Sequence, residues 1–454
     1  MTRPPAVPQR ATIVLPSTGE FDSRTYRIAS ALAARGHTVT VLARLGPGTP
    51  AEETHPGGYR IRRVETGAVD GLPLPAAIRR LVRPRPGAGA AGVMVRGPEP
   101  GARGDAGLAR PAGGGRRRSI LGSAMRLGGV LRRITAMALV VRSQSQASRA
   151  IDEGADLYHG MAYMGVPVAL GLARRHAGAR VVYDARDIYV DAGNLARLPG
   201  PVRRVVGAAE RRWARRVDRV VTVNLPYAEV MARRWGLPLP EIVLNCSFRY
   251  APSRPKWRRF HERLGLPPDR RVVLYQGGFS RDRGIEQLIE AVPQVPNATL
   301  VLLGYGSLRS TIEQAAAMPG MADRVRVLDA VPPTELLDWV AAADVVAMPI
   351  QPTTLNHRLT TPNKLLEAMA AGVPVVASDL PGMADIVRAV GCGVLCDPTD
   401  PASLAAAIRD VVDAPDGGAA MAARGLAAAH AEYNWETQMD KLLDLYTQLT
   451  GKPW

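Results

Sequence analysis

The chain has 454 residues, 46% hydrophobic and 22% charged, a globular composition long enough for two domains of about 200 residues each. Its 58 Lys and Arg against 41 Asp and Glu give a formal charge of +17, which suits phosphorylated small molecules, anionic lipid or nucleic acid as partners. Aromatics make up only 5%, so base stacking lacks its usual residues and no nucleic-acid partner is expected; the longest apolar runs, such as Ala136 to Val141, are far shorter than the roughly 20 residues of a membrane-spanning helix.

The opening MTRPPAVPQRATIVLPS passes from a Pro/Arg-rich leader straight into a strand, without the apolar core and cleavage site of a secretion signal, so a cytoplasmic protein is expected. ATIVLPS, TYRIASALAARG and HTVTVLAR then spell strand, helix and strand. Residues 83–118, dense in Gly, Arg, Pro and Ala, cannot bury enough apolar area to offset ordering and are predicted to be a disordered insertion. The following stretch, 119–151, is helical in pattern and carries Arg126, Arg132, Arg133 and Arg142 among apolar residues. It either packs on the sheet with its arginines solvated or offers a basic surface to an anionic membrane.

The strand rhythm continues through DLYHG, ARVVYDA and DRVVTVN, and after a Pro/Arg-rich passage from Ala251 to Arg271 it returns in RVVLYQGG, ATLVLLGYG, RVRVLDAV, DVVAMPI, VPVVASD and GVLCD. Such alternation is that of parallel α/β sheets. The predicted fold class is therefore α/β, two doubly wound Rossmann-like domains with a boundary near residue 250: 1–250, then 251–432, then a closing helix within 433–454 expected to pack back toward the N-terminal domain. Cys246, Cys392 and Cys396 read as buried thiols, since a lone C-x3-C without a neighbouring His is a poor zinc site.

The stretch TTPNKLLEAMAAGVPVVAS, from Thr360 to Ser378, predicts a helix of about three turns with Thr361 as N-cap, Pro362 in the first helical position and Gly372 just past the end. Leu365, Leu366 and Met369 share one face; Lys364, Glu367, Ala368 and Ala371 share the other. Two readings stand. Lys364 and Glu367 form an i,i+3 ion pair on a solvated helix, or the free N–H groups of the helix and Lys364 seat an anion such as a pyrophosphate while Glu367 accepts hydrogen bonds from a sugar or ribose diol.

LYQGGFSRDRGIEQLIEA, LLGYGSLRSTIE, PPTELLDWVAAADVVAMPI and PNKLLEAMAAGVPVVASDLPG together resemble the donor domain of the family 4 glycosyltransferases, which have the GT-B fold. DSRTYRIASALAARGHTVTVLAR and the region from Asp156 to Asp191 resemble the acceptor-side domain of that family. The resemblance implies a retaining transfer of a sugar from a nucleotide diphosphate sugar, on UDP or GDP, to a hydroxyl acceptor, lipid-linked or a polysaccharide precursor. No cofactor is implied beyond that donor, and no D-x-D at a strand end suggests a protein-bound metal. In open α/β sheets ligands bind beyond the carboxyl ends of the strands, where glycines let the backbone approach phosphate. Gly277, Gly278 and Gly306 occupy such places, with Asn363 at the helix start. Arg283 and Lys364 are the candidates to meet the charge gathering on the leaving diphosphate; many relatives carry Arg where this chain has Gly278, so Arg281 or Arg283 must supply that charge.

Glu367 matches the second glutamate of the E-x7-E motif of the family, whereas the first falls at Leu359, leaving Asn356, Thr360 and Thr361 as substitutes. Arg186-Asp187 stands where relatives carry His-Asp or His-Glu. Because the leaving phosphate is described as taking the acceptor proton, Arg186 could contact an anion and Asp184 or Asp187 could orient a hydroxyl; the pair could equally fix a loop. On the acceptor side, Gly19, Asp22 and Arg24 are expected under the phosphates and acceptor, and His159 either faces the cleft or is a satisfied core histidine. The competing functions are a sugar-nucleotide epimerase of similar architecture and a membrane-surface or nucleotide-binding protein that has lost catalysis. A peripheral site on the inner face of an anionic membrane belongs with the cytoplasmic expectation.

Overall fold

A computed structural model describes residues 8–20, 22–67, 120–252 and 258–454; the expected insertion at 83–118 lies outside them. The chain divides into two compact units, the first covering 1–183, 198–202 and 216–218 and the second 184–197, 203–215 and 219–454.

The first unit carries β1 (Arg10–Val14), β2 (Thr38–Arg44), β3 (Glu52–Thr54), β4 (Arg60–Val64), β5 (Leu157–Met161) and most of β6 (Arg180–Ala185), side by side in the order β3-β4-β2-β1-β5-β6. β1 pairs in parallel with β2 and β5, which sets Ile13 opposite Val41 on one side and His159 on the other; β3 runs antiparallel along β4. Helices α1 (Ser23–Ala34), α2 (Ile120–Ile151) and α3 (Ala162–Ala173) belong with these strands. α2 matches the helical pattern of 119–151, and Gln144 on it is buried, its amide donating to the Leu15 carbonyl at 2.9 Å. Arg132 and Arg142 are exposed on α2; the side chains of Arg126 and Arg133 lie outside the described residues.

The pair β3–β4 has no clear signal in the sequence, because RIRRV puts charge where an apolar run is expected. Arg63 is nonetheless buried, and its guanidinium donates to Thr18 O at 2.9 Å, Pro50 O at 3.0 Å and Glu53 at 2.8 Å. A buried charge so fully bonded is tolerated.

The second unit holds α4 (Gly193–Ala196), most of α5 (Gly200–Ala214), the parallel pair β7 (Arg219–Thr222) and β8 (Glu241–Ile242), and α6 (Leu225–Trp235) between them. Its main sheet is parallel, six strands in the order β11-β10-β9-β12-β13-β14. These are β9 (Arg271–Gly278), β10 (Ala298–Tyr305), β11 (Val325–Leu328), β12 (Val345–Met348), β13 (Val375–Ser378) and β14 (Gly393–Cys396). The helices are α7 (Arg259–Leu264), α8 (Ile285–Ala291), α9 (Arg309–Ala316), α10 (Leu336–Ala341), α11 (Leu355–Arg358), α12 (Asn363–Ala370), α13 (Pro381–Val390), α14 (Pro401–Val412), α15 (Ala419–Ala431) and α16 (Trp435–Thr450). Alternation along β9 sends Val272 and Leu274 into one core with α12, and Val273 and Tyr275 into another with α8 and α14. Every strand expected after residue 270 is present. The three cysteines are buried thiols.

α12 departs from expectation at its start. Thr361 is not the N-cap: that position falls to Pro362, in an extended conformation with no side-chain cap, and the helix is only eight residues long. A residue before proline is pushed out of the helical region, and the Thr361 hydroxyl is taken by other partners, donating to Gly382 O at 2.6 Å and accepting from Asn224 Nδ2 at 3.1 Å. Gly372 does follow the helix end, at φ +65°. Ala368 and Ala371, expected on the open face, are buried beside Cys392 and Ala429 in the same core, so α12 is covered on two sides.

The closing helix α16 is capped by Asn434, whose Oδ1 accepts from Thr437 N at 2.9 Å. It fastens onto residues 244–249: Leu244 N donates to Gln438 Oε1 at 3.0 Å and Arg249 N to the Glu436 carboxylate at 3.1 Å. Among the described residues no helix is long and apolar enough to cross a membrane.

Candidate active site

In the second unit the sequence-predicted residues gather at the carboxyl ends of β9 and β10 and the start of α12. Gly277 and Gly278 end β9 opposite Gly304 and Tyr305 of β10. A Cβ on Gly304 would fall on the Gly277 carbonyl oxygen, and one on Gly306, at φ +148°, on the carbonyl oxygen of Phe279. Both strand ends therefore close against the loop that follows β9 only because side chains are missing. A Cβ at Gly278 would meet nothing within 4 Å.

Lys364 comes to this place from α12. Its Nζ lies 3.6 Å from the centroid of the Tyr275 ring, and 3.8 Å from where a Cβ of Gly277 would stand. The Tyr275 hydroxyl donates to Gly278 O at 2.9 Å. Arg283 follows Asp282, which takes a left-handed φ of +67°, accepts from Gln351 N at 3.0 Å on its carbonyl, and holds its carboxylate 4.0 Å from Arg197. Neither Arg283 nor Lys364 makes a hydrogen bond or ion pair among the described residues. Burial, then the like charge of Arg283, pushes the Lys364 pKa well below the lysine range, with Glu367 opposing. The i,i+3 ion pair offered by the sequence is thus not formed: the ammonium sits on the ring instead. Asn363 Oδ1 accepts from Asn245 Nδ2 at 3.1 Å. Arg281 is exposed.

Asp187 joins this group through Asn356, whose Nδ2 donates to Asp187 Oδ1 at 3.0 Å while its Oδ1 accepts from Ile188 N at 2.8 Å. Burial pushes the Asp187 pKa up, against the hydrogen bond from Asn356 and the charges of Arg186 and Arg283. Asn224 caps α6 by accepting from Tyr227 N at 2.8 Å and donates to Leu359 O at 2.7 Å; the Tyr227 hydroxyl donates to Asn356 O at 2.9 Å. His357, held by Thr353 Oγ1 at 3.0 Å, has its pKa lowered by burial and then by Arg283. Arg186 is half-buried and Asp184 fully buried at the end of β6.

The other four expected residues lie in the first unit. Gly19 is left-handed, at φ +88°. The Asp22 carboxylate caps α1 by accepting from Thr25 N at 2.9 Å, and Arg24 and His159 are both buried. Tyr275, Asn224 and Tyr227 were not singled out by sequence reasoning. Asn224 had a readable signal, since an Asn between a strand and Leu-Pro spells an N-cap; Tyr275 looked like one more strand residue.

Here glycine-ended strands, the start of α12 and two cations that form no ion pair among the described residues come together in an α/β chain. Comparison with known proteins gives the family. The glycosyl transferase 4-like domain matches residues 21–247 and the glycosyl transferases group 1 domain matches residues 270–414. The chain therefore belongs to the family 4 type of glycosyltransferases, with the two-domain Rossmann-like GT-B fold. Among its relatives is the D-inositol 3-phosphate glycosyltransferase of Xylanimonas cellulosilytica, 33% identical over 268 residues, 56% of this chain and 62% of that protein. The chain spans about three fifths of the length of that relative. Similar solved structures include sucrose-phosphate synthase from Thermosynechococcus elongatus, with TM-score 0.69, 22% identity, and coverage of 98% and 99% of the two chains. Anabaena HepE, solved in complex with UDP, follows at TM-score 0.65, 16% identity, and coverage of 97% and 100%.

Proposed function

We propose that this protein is a retaining glycosyltransferase that moves a sugar from a nucleotide diphosphate sugar, carried on UDP or GDP, to a hydroxyl acceptor. The observation that carries this reading is the pair Arg283 and Lys364, both without an ion-pair partner among the described residues, beside glycine-ended strands and the N-terminus of α12. As the glycosidic bond breaks, charge gathers on the leaving diphosphate, and fixed cations with free helix N–H groups stabilise it without reorganising. Glu367, one turn into α12, is an acceptor of the ribose hydroxyls, because an ionised carboxylate accepts only. The leaving phosphate takes the acceptor proton; Arg186 holds an anion, and Asp187 orients the hydroxyl. Residues 1–250 serve the acceptor and 251–432 the donor. UDP in the HepE complex and an inositol phosphate in the name of the Xylanimonas relative support a nucleotide donor and a polar hydroxyl acceptor.

The enzyme works in the cytoplasm at an anionic membrane surface, meeting it through the exposed Arg132 and Arg142 of α2. Failure to sediment with anionic liposomes at low salt would remove that part of the reading. The central test is thermal stabilisation by UDP, GDP, ADP and dTDP and their sugars. A selective shift with one base, weakened by Glu367→Ala, is expected; no shift with any nucleotide in folded protein would turn the reading toward a binding protein without catalysis.

A further inference from the structure

We infer that Tyr275 is a positioning residue of the donor site, its ring carrying the Lys364 ammonium to the ends of β9 and β10. The inference rests on the reading of this site as a nucleotide diphosphate seat. Tyr275 is the aromatic side chain of β9, two positions before Gly277; its ring is fully buried, and its hydroxyl reaches forward to Gly278 O at 2.9 Å. The ring is thus fixed at both ends, by the core below and the glycine backbone above. The ammonium of Lys364 lies 3.6 Å from its centroid, inside the range over which an aromatic face attracts a cation.

Two other charges act on that ammonium, the Arg283 guanidinium and the Glu367 carboxylate. A lysine on a flexible four-carbon stem three residues before a glutamate would ordinarily swing onto it. Here it does not, and the ring supplies the reason: its π face holds the cation where Gly277 leaves room. Lys364 is thereby aimed at the strand ends, away from the neighbour that would neutralise it.

The experiment is a binding cycle with UDP and GDP, read by titration calorimetry on wild type, Tyr275→Met, Lys364→Met and the double variant. Each single change is expected to weaken binding about tenfold, and the double variant to bind within about threefold of Lys364→Met, because the two side chains act as one unit. Tyr275→Phe, which keeps the ring, restores most of the affinity lost in Tyr275→Met. Should Tyr275→Met not fold, phenylalanine and its stepwise fluorinated analogues at 275 keep the shape and drain the ring face, and affinity is expected to fall with each fluorine. Multiplied losses in the double variant, or indifference to fluorination, overturn the inference while leaving the donor site standing. Wild type binding neither nucleotide overturns the donor-site reading and this inference with it.

Discussion

The Asn356 amide bridges Asp187 and Ile188, donating to the carboxylate of the first at 3.0 Å and accepting from the backbone N–H of the second at 2.8 Å. Across 169 positions of sequence, this one side chain ties the loop after β6 to the segment that leads into α12. Asn356→Ala removes a hydrogen bond from the Asp187 carboxylate and one from the buried Ile188 N–H, and should cost about 1–3 kcal/mol of stability by denaturant unfolding. A variant as stable as wild type would mean that the bridge is not needed to hold the loop.

Asp187 makes that stability depend on pH. Burial raises its folded-state pKa above the ordinary 3.8, so the folded protein binds the proton more tightly than the unfolded chain. The stabilising contribution is fully present below 3.8 and is lost as pH rises through the higher folded-state value. Asp187→Asn should therefore flatten the acid side of the stability profile, and Asn356→Ala, which removes a hydrogen bond to the charged form, should steepen it. An Asp187→Asn profile parallel to wild type would contradict the assignment.

How much of this was legible beforehand follows from where each signal lies. Parallel strands buried on both faces read as apolar runs, so β9 through β14 stood out, and α12 announced itself through Pro-Asn-Lys and Gly372. Residues 356–361 could not be read, because Asn356 and Thr361 spend their side chains on Asp187, Ile188 and Asn224, more than a hundred positions away. No local spacing encodes such a partner. Tyr275 was missed for a related reason: strand alternation says that it is buried, not that its ring meets a lysine from α12.

Within the proposed donor site, Arg283→Ala and Glu367→Ala should each weaken nucleotide binding by about tenfold, roughly 1.4 kcal/mol. Arg409→Ala serves as the comparison, since Arg409 on α14 donates to Gln294 O at 2.8 Å, ahead of β10 and away from the carboxyl ends of the strands. Equal losses in all three variants would count against the site.

Lys364 gives the binding a pH signature of its own. Its pKa is held down by burial and Arg283, while a bound diphosphate favours the ammonium form. Affinity should be full below the lowered pKa and fall as pH rises through it. Arg283→Gln removes the like charge, so the fall should move to higher pH, and Lys364→Met should abolish it. A wild-type affinity that does not fall anywhere as pH rises from acid toward the ordinary lysine value of 10.5 would show that the Lys364 charge does not serve the ligand.

Gly306→Ala asks whether the closure of the strand ends matters. Its Cβ would fall on the Phe279 carbonyl oxygen at a φ of +148°, a conformation that costs an alanine about 1–3 kcal/mol before any clash is relieved. The melting temperature should drop and nucleotide binding should weaken with it. A variant with wild-type melting and affinity would show that the loop after β9 yields freely.

Gln276 stands between Tyr275 and Gly277, and alternation along β9 points it to the core of Val272 and Leu274. It is 3% exposed, and neither its Oε1 nor its Nε2 meets a partner among the described residues. A buried amide without hydrogen bonds costs stability, whereas methionine has nearly the same length and no such need. Gln276→Met should therefore raise stability by about 1 kcal/mol in denaturant unfolding. The amide is buried in that core and not exposed at the strand ends, so nucleotide affinity should not change. A variant that gains no stability but loses affinity would place the Gln276 amide in the service of the ligand.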